Sequence, residues 1–397
     1  MRSQHAKELD NAIKEEIKQL IQNGTWEEFI LPKGANLVST KWVFLIKETV
    51  DGKIERFKAR LVARGFSQTY GTDYAETFAP TVQMDTLRMF LAMVSERDLE
   101  CSQFDIKNAF TESHLKEDIF LAPPEGVTVT TGKVLKALRS LYGLKQAGLD
   151  WNLLLCDFFK NQCRFEQSLA DPCLFIHKGR KLYLLVYVDD MVAAARDQAE
   201  IDWFNNILSR RFNTKNLGEI SKLLGVRITR DRRNRTIYLD QEQYLEKVLS
   251  NFGFPAAKYK RKSIPAADYS NLRPATDTDE RIDGSQYHKI IGSLMYAMTL
   301  TRPDIAFVLG CLARYMSDPT VHHGHALKEL MRYLRSTTKQ KLRFGPGGEH
   351  KHFVIFTDAD WASDKSDRKS VSGGVGIFYG GPFCWMSKKQ KSVARSS

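Results

Sequence analysis

Asp189 and Asp190 stand side by side inside an apolar run, LLVYVDDMVAAA at 184–195. Acidic neighbours in that setting are costly unless something pairs with them. Asp105 stands near the end of a second largely apolar stretch, CSQFDI at 101–106. If the strands that carry them pair, three carboxylates converge as an all-oxygen donor set, which suits hard divalent cations. Two such ions a few ångströms apart stabilise in-line displacement at phosphorus. An acidic pair at a strand end is also what a solvated turn looks like, and the pair alone does not separate the two readings.

The elements that must position these residues follow from local patterning. Residues 182–188 predict a strand and 191–195 its antiparallel return, which puts Asp189 and Asp190 at the tip of a tight hairpin. Residues 100–106 predict another strand. A basic hairpin is predicted over 40–65, where two β-rich arms flank Asp51-Gly52, a strong tight-turn dipeptide. Leu9, Ile13, Ile17 and Ile21 recur at helical spacing over 7–22, and helices are also predicted over 84–97, 198–212 and 241–254. Residues 136–162 read as a turn at Gly143 and then a long helix. A third hairpin, with the basic turn RDRRNR, spans 222–241. The polar stretch 256–284, with Pro265 and Pro274, reads as a linker. A helical block follows, and then strands of a new sheet from about residue 352.

A chain of 397 residues exceeds one ordinary core, so two or more domains are expected. Its 43% apolar content fits packed globular structure. The formal charge of +12 points toward polyanions. No apolar run reaches the ~18 residues of a membrane span, so no membrane partner is expected. The six cysteines are scattered without a C-x-x-C, as in a reduced intracellular protein. The HHGH run at 322–325 lacks further ligands nearby and reads as a helix start rather than a metal site.

The order FDIKNAF (104–110), SLYGLKQA (140–147), LLVYVDD (184–190) is that of reverse transcriptases. With TKWVF, FKARLVARGFSQTYGTDYAETFAP, ADPCLF, IGSLMYAMTLTRPDIAF and DADWASDKSDRKSVSGGV, the chain resembles the polymerase region of copia-class retrotransposon Pol polyproteins over nearly its whole length. The resemblance implies that Asp105 and Asp189 bind metal and that Asp190 completes the acidic site. Adjacent strand residues face opposite ways, so unequal roles are expected, with Asp189 the closer ligand. It implies that Phe110 is an aromatic gate against a 2′-hydroxyl and that Gln146 helps hold the incoming nucleotide. It places Lys58 and Arg60 against the triphosphate, since a planar guanidinium matches phosphate oxygens, with Lys41 a weaker candidate. The chain departs from the family pattern at Gly148-Leu149-Asp150, where Pro-Arg and one further residue are usual, and at Thr111-Glu112-Ser113.

The expected fold class is therefore α+β: a right-hand polymerase with fingers, palm and thumb and an antiparallel palm sheet. A helical connection and a truncated ribonuclease H-like α/β fragment should follow. The expected boundaries are a helical lead-in at 1–37, fingers, palm and thumb at 38–256, a linker at 257–284, the connection at 285–345 and the fragment at 346–397. The expected activity is RNA-directed DNA polymerisation with two Mg2+ ions, Mn2+ being the alternative. The expected partners are an RNA template, a primer or DNA, and deoxynucleoside triphosphates, with other proteins of the element or a second copy as further ones. The expected location is intracellular, in the cytoplasm, with the nucleus as the alternative. Asp358 matches the first ribonuclease H ligand, and the family's next carboxylate would follow Ser397, so ribonuclease H activity is expected to be absent. The rival reading is a catalytically decayed, nucleic-acid-binding transposon remnant. A DNA-templated polymerase is the second rival.

Overall fold

The acidic stretches and the basic hairpin fold into separate sheets that share one compact unit. The computed structural model describes residues 5–48, 54–255, 261–265, 272–346, 353–364 and 366–394. The Asp51-Gly52 turn and parts of the linker lie outside the described residues. Helices and sheets are mixed throughout, as in an α+β protein. Two compact units arise from interleaved segments. One comprises Met1–Val82, Gln103–Ala193 and Ala199–Leu217, and the other Gln83–Ser102, Ala194–Gln198 and Gly218–Ser397.

The acidic residues lie in a six-stranded sheet ordered Thr214–Glu219, Glu100–Ile106, Asp190–Ala195, Leu182–Tyr187, Leu174–His177, Glu166–Gln167. Its central strands are apolar on both faces, with Leu184, Leu185, Met191, Val192 and Ala193 all buried. That continuous burial explains the lack of polar alternation in the run around the aspartates. Phe204, on helix Gln198–Arg211, packs edge-on against Phe104 with ring centroids 5.3 Å apart.

The basic arms pair antiparallel as Thr40–Glu48 with Ile54–Ala63, Leu45 opposite Lys58 and Val43 opposite Arg60. A four-stranded sheet ordered Trp26–Ile30, Lys133–Arg139, His114–Leu121, Leu37–Val38 lies in the same unit. Leu61, Ala63, Ile119, Leu135 and Leu144 form a common core with Leu20 of helix Ala6–Gln22. Residues 133–139, half of which the sequence assigns to a turn-and-helix segment, are a strand. The pattern KVLKALR carries good helix formers, but strand partners on both sides override local propensity.

In the second unit, Val226–Asp231 pairs with Thr236–Asp240, and Leu342–Phe344 adds to the same sheet from a hundred residues on. Helices Glu242–Asn251, Gly284–Leu300, Ala306–Ala313 and Val321–Ser336 share one apolar core that includes Leu249, Ile291, Leu309 and Leu330. The HHGH run opens helix Val321–Ser336. Thr320 caps it, and the His323 ring accepts the Thr320 N–H at 3.0 Å. Val354–Ala359, Val371–Phe378 and Gly381–Lys389 form an antiparallel three-stranded sheet. Its Phe383 is buried, while Ile355, Phe356 and Met386 are exposed. Among the described residues no helix is long and apolar enough to cross a membrane.

Candidate active site

Tyr187 ends one strand and Asp190 begins the next, so Val188 and Asp189 form the turn. Val188 takes φ +56°, a strained choice for a β-branched residue. Two bonds hold it there. The Trp151 indole N–H donates to the Val188 carbonyl at 2.7 Å, and the Ile106 N–H donates to the Asp189 carbonyl at 3.1 Å. The second bond ties the turn to the strand end that carries Asp105.

The three carboxylates are half-buried and mutually repulsive. Burial pushes Asp189 above the ordinary carboxylate range and Asp105 adds to it, while Arg60 and Lys58 pull it back. Burial also raises Asp190, with Asp189 and Asp105 adding to it. Asp190 turns aside: its Oδ1 accepts from Gln103 Nε2 at 3.3 Å. Gln103 lies two residues before Asp105, on the same strand face. The donor set is all oxygen and crowded with negative charge that a cation would relieve, so its chemistry fits a hard divalent ion. Among the described residues no three such side chains converge as a ready-made cage.

Phe110 follows a chain reversal. Asn108 adopts φ +55°, which asparagine tolerates, and opens the short turn Ala109–Glu112. Arg139 braces that turn through the Thr111 and Glu112 carbonyls, and the Ser113 hydroxyl donates to the Phe110 carbonyl at 2.8 Å. Thr111 and Ser113, at a departure from the family pattern, thus serve as local turn ties. Phe110 is half-buried and meets Tyr142 edge-on, centroids 4.7 Å apart.

Arg60 stacks on the face of the same Tyr142, its Cζ 4.5 Å from the ring centroid. Its Nε is buried with no hydrogen-bond partner among the described residues. Burial pushes the Tyr142 phenol up to about 12, with Arg60 opposing and Asp189, Glu16 and Asp105 adding. Glu16, from the N-terminal helix, is buried beneath the basic strand. Its Oε1 accepts the Leu61 N–H at 3.4 Å, and burial raises its pKa against the pull of that bond, Lys58 and Arg60. The structure thus brings Asp105, Asp189, Lys58, Arg60 and Phe110 into one electrostatic neighbourhood.

Gln146 is held differently. It is buried, its Oε1 accepts from Gln68 at 3.0 Å, and its Nε2 donates to the Asp73 carbonyl at 2.9 Å. It thereby pins the loop 65–73. Helix Ala147–Asp157 still forms through the departure at 148–150, and Asp150 accepts from the Ser140 hydroxyl at 2.7 Å. Tyr142, Gln103 and Glu16 were not singled out in the sequence. Each acts across segments far apart in the chain, and only Tyr142 carried a local signal, its place in SLYGLKQA.

Comparison with known proteins gives the family. Residues 23–267 match the family described as "Reverse transcriptase (RNA-dependent DNA polymerase)". The chain is similar to the Retrovirus-related Pol polyprotein from transposon TNT 1-94 of Nicotiana tabacum. Identity is 40% over 400 residues, covering 98% of this chain and 30% of that protein. It is also similar to the corresponding polyprotein from transposon RE1 of Arabidopsis thaliana, 34% identical over 392 residues, covering 98% and 26%. The chain thus spans about 30% or less of the length of these relatives. A solved structure of the foamy viral protease-reverse transcriptase in complex with dsDNA aligns with a TM-score of 0.48 and 13% identity. That alignment covers 97% of this chain and 67% of that one. The relatives are copia-type Pol polyproteins, as the motifs implied, and this chain belongs to the reverse transcriptase (RNA-dependent DNA polymerase) family.

Proposed function

We propose that this chain is the polymerase part of a copia-type element, adding deoxynucleotides to a primer 3′-hydroxyl on an RNA template. One observation carries the reading: Asp189 is acted on at once by Asp105 and by the cations Arg60 and Lys58. Carboxylates for a metal and cations for a triphosphate, drawn from three separated segments, lie within electrostatic reach of one turn. The finer architecture follows the same reading. Fingers and palm span about 38–239, a thumb-like segment 240–256, a linker 257–284, a helical connection 285–345 and a ribonuclease H-like fold 346–397.

Asp105 and Asp189 are the residues that would hold Mg2+, or Mn2+, with Asp190 completing the acidic site from its place on Gln103. A bound pair of ions would supply charge stabilisation for phosphoryl transfer. The chain's own part is positioning. Arg60 offers one positive charge, held by the Tyr142 ring, and Lys58 a second, so the triphosphate meets cations already in place. Phe110 closes the floor under the sugar, where a ring leaves no room for a 2′-hydroxyl. Gln146 acts on the nucleotide through the loop it pins. Contacts to template and primer should rest mainly on phosphates and weaken with salt. The sheet 354–389 is assigned no hybrid-cleaving role: among the described residues Asp358 accepts the neighbouring Ala359 N–H, and Asp364 is held by Arg314 and Lys389.

Primer extension tests the reading. A DNA primer on an RNA template, with deoxynucleotides and Mg2+, should be lengthened, and the same primer on DNA serves for comparison. Binding without extension would make the chain a nucleic-acid-binding remnant, and extension on DNA alone would make it a DNA-templated enzyme. Cleavage of a labelled RNA–DNA hybrid that survives Asp189→Asn but not Asp358→Asn would overturn the assignment for the last sheet.

A further inference from the structure

We infer that Tyr142 is a positioning residue that locks the triphosphate-holding and sugar-selecting sides of the site together, acting through Arg60 and Phe110. The inference rests on the polymerase reading above and adds a residue to it. Arg60 lies over the ring face at 4.5 Å, and Phe110 meets the same ring at 4.7 Å with the planes 75° apart. Both contacts are attractive because an aromatic face is electron-rich and its edge electron-poor. A ring also holds a guanidinium without using its N–H groups. A carboxylate in that place would neutralise Arg60 and occupy its fork, whereas a ring fixes the guanidinium plane and keeps its charge for a phosphate.

The backbone fixes where the ring stands. The Ala63 N–H donates to the Tyr142 carbonyl at 2.8 Å. Gly143 takes φ +91°, and a Cβ there would stand 2.1 Å from the Ala63 carbonyl oxygen. A Cβ on Gly65 would stand 2.1 Å from the Gly143 carbonyl oxygen. Only glycine at these two positions lets 63–65 and 142–143 touch, and that contact presents Tyr142 to the strand bearing Arg60. Loss of the ring therefore loosens two functions at once, although Tyr142 itself is assigned no contact with the nucleotide.

The test compares Tyr142→Leu and Tyr142→Phe with the unaltered chain on a primer–template. Readouts are kcat and KM for adding one deoxynucleotide and its matching ribonucleotide, and Kd for both on a primer that cannot be extended. Tyr142→Leu should raise KM and Kd for the deoxynucleotide about ten-fold and cut the deoxy-over-ribo preference by about ten-fold, the scale of one desolvated cation–π or ring contact. Tyr142→Phe should keep both within about two-fold, because the ring remains. On a Phe110→Val background, Tyr142→Leu should still raise KM but add little to the lost sugar preference. If Tyr142→Leu does not fold by circular dichroism, Tyr142→Met, which fills similar space without a ring, takes its place. A change in only one of the two properties, or in neither while the unaltered chain works, would overturn the inference and leave the polymerase reading standing. Damage from Tyr142→Phe equal to that from Tyr142→Leu would overturn it too, since the phenol would then be the acting group. An unaltered chain that binds and discriminates nucleotides without extending sinks the polymerase reading alone, and the Kd comparison then decides this inference. One that neither binds nor extends sinks both.

Discussion

Neighbouring aspartates in this chain have different company. Asp189 occupies the turn, where Asp105, Arg60 and Lys58 all act on it, whereas Asp190 begins a strand and leans on Gln103. The acidic residues were legible because carboxylates in apolar strands need an explanation. Tyr142 and Glu16 were not, because their importance comes from contacts across the fold and not from their immediate neighbours. Phe110 is the residue whose assignment is cheapest to test. It packs beside a core cluster as well as against Tyr142, so a packing residue and a sugar gate look alike until discrimination is measured. Phe110→Val should admit ribonucleotides with little loss of deoxynucleotide use, read as the ratio of kcat/KM for the two. An unchanged ratio would reduce the ring to core packing.

The element that matters most is the acidic hairpin, and its geometry is held from outside. Val188 sits in the left-handed region with its carbonyl bonded to Trp151, which itself packs edge-on against Phe212 at 5.4 Å. Trp151→Phe keeps most of the packing but leaves that carbonyl without its donor. It should cost about 1–3 kcal/mol in stability, measured by denaturant unfolding, and lower kcat by relaxing the turn. Full stability and full rate would show that the bond does not hold the turn.

Elements with their own pattern were readable: strand Glu100–Ile106, the acidic and basic hairpins, and helices Ala6–Gln22 and Met84–Glu96. Elements imposed by partners were not. Lys133–Arg139 has helix-forming residues, Thr214–Glu219 is a polar edge strand without alternation, and Leu342–Phe344 joins a sheet formed a hundred residues earlier. Helix Val321–Ser336 adds a pH-sensitive cap. His323 stacks on Tyr315 at 4.2 Å, accepts the Thr320 N–H and shares a hydrogen bond with the Arg273 carbonyl. Burial lowers its pKa below the ordinary 6.5, only partly offset by that carbonyl. As pH falls through the ordinary range the unfolded chain takes up a proton that the folded chain resists. The stabilisation is therefore complete above about pH 7 and is lost toward acid. The thermal midpoint should fall between pH 7 and 5 more steeply in the unaltered chain than in His323→Asn. Equal slopes would contradict this.

At the scale of the molecule, the net charge of +12 is in keeping with the polyanionic partner proposed for the site. The compact units interleave segments that a linear division keeps apart, because strand and helix partners are chosen by packing and not by nearness in the chain. The residues gathered around Asp189 all belong to one of those units, so the central claim does not depend on the other. It is that Asp105 and Asp189 together build a metal-dependent polymerase centre. The most direct measurement is the rate of single-nucleotide addition on an RNA template by Asp105→Asn and Asp189→Asn at saturating Mg2+. Removing either charge should lower the rate by about two orders of magnitude or more while leaving the fold intact by circular dichroism. A near-normal rate in either variant would contradict the account.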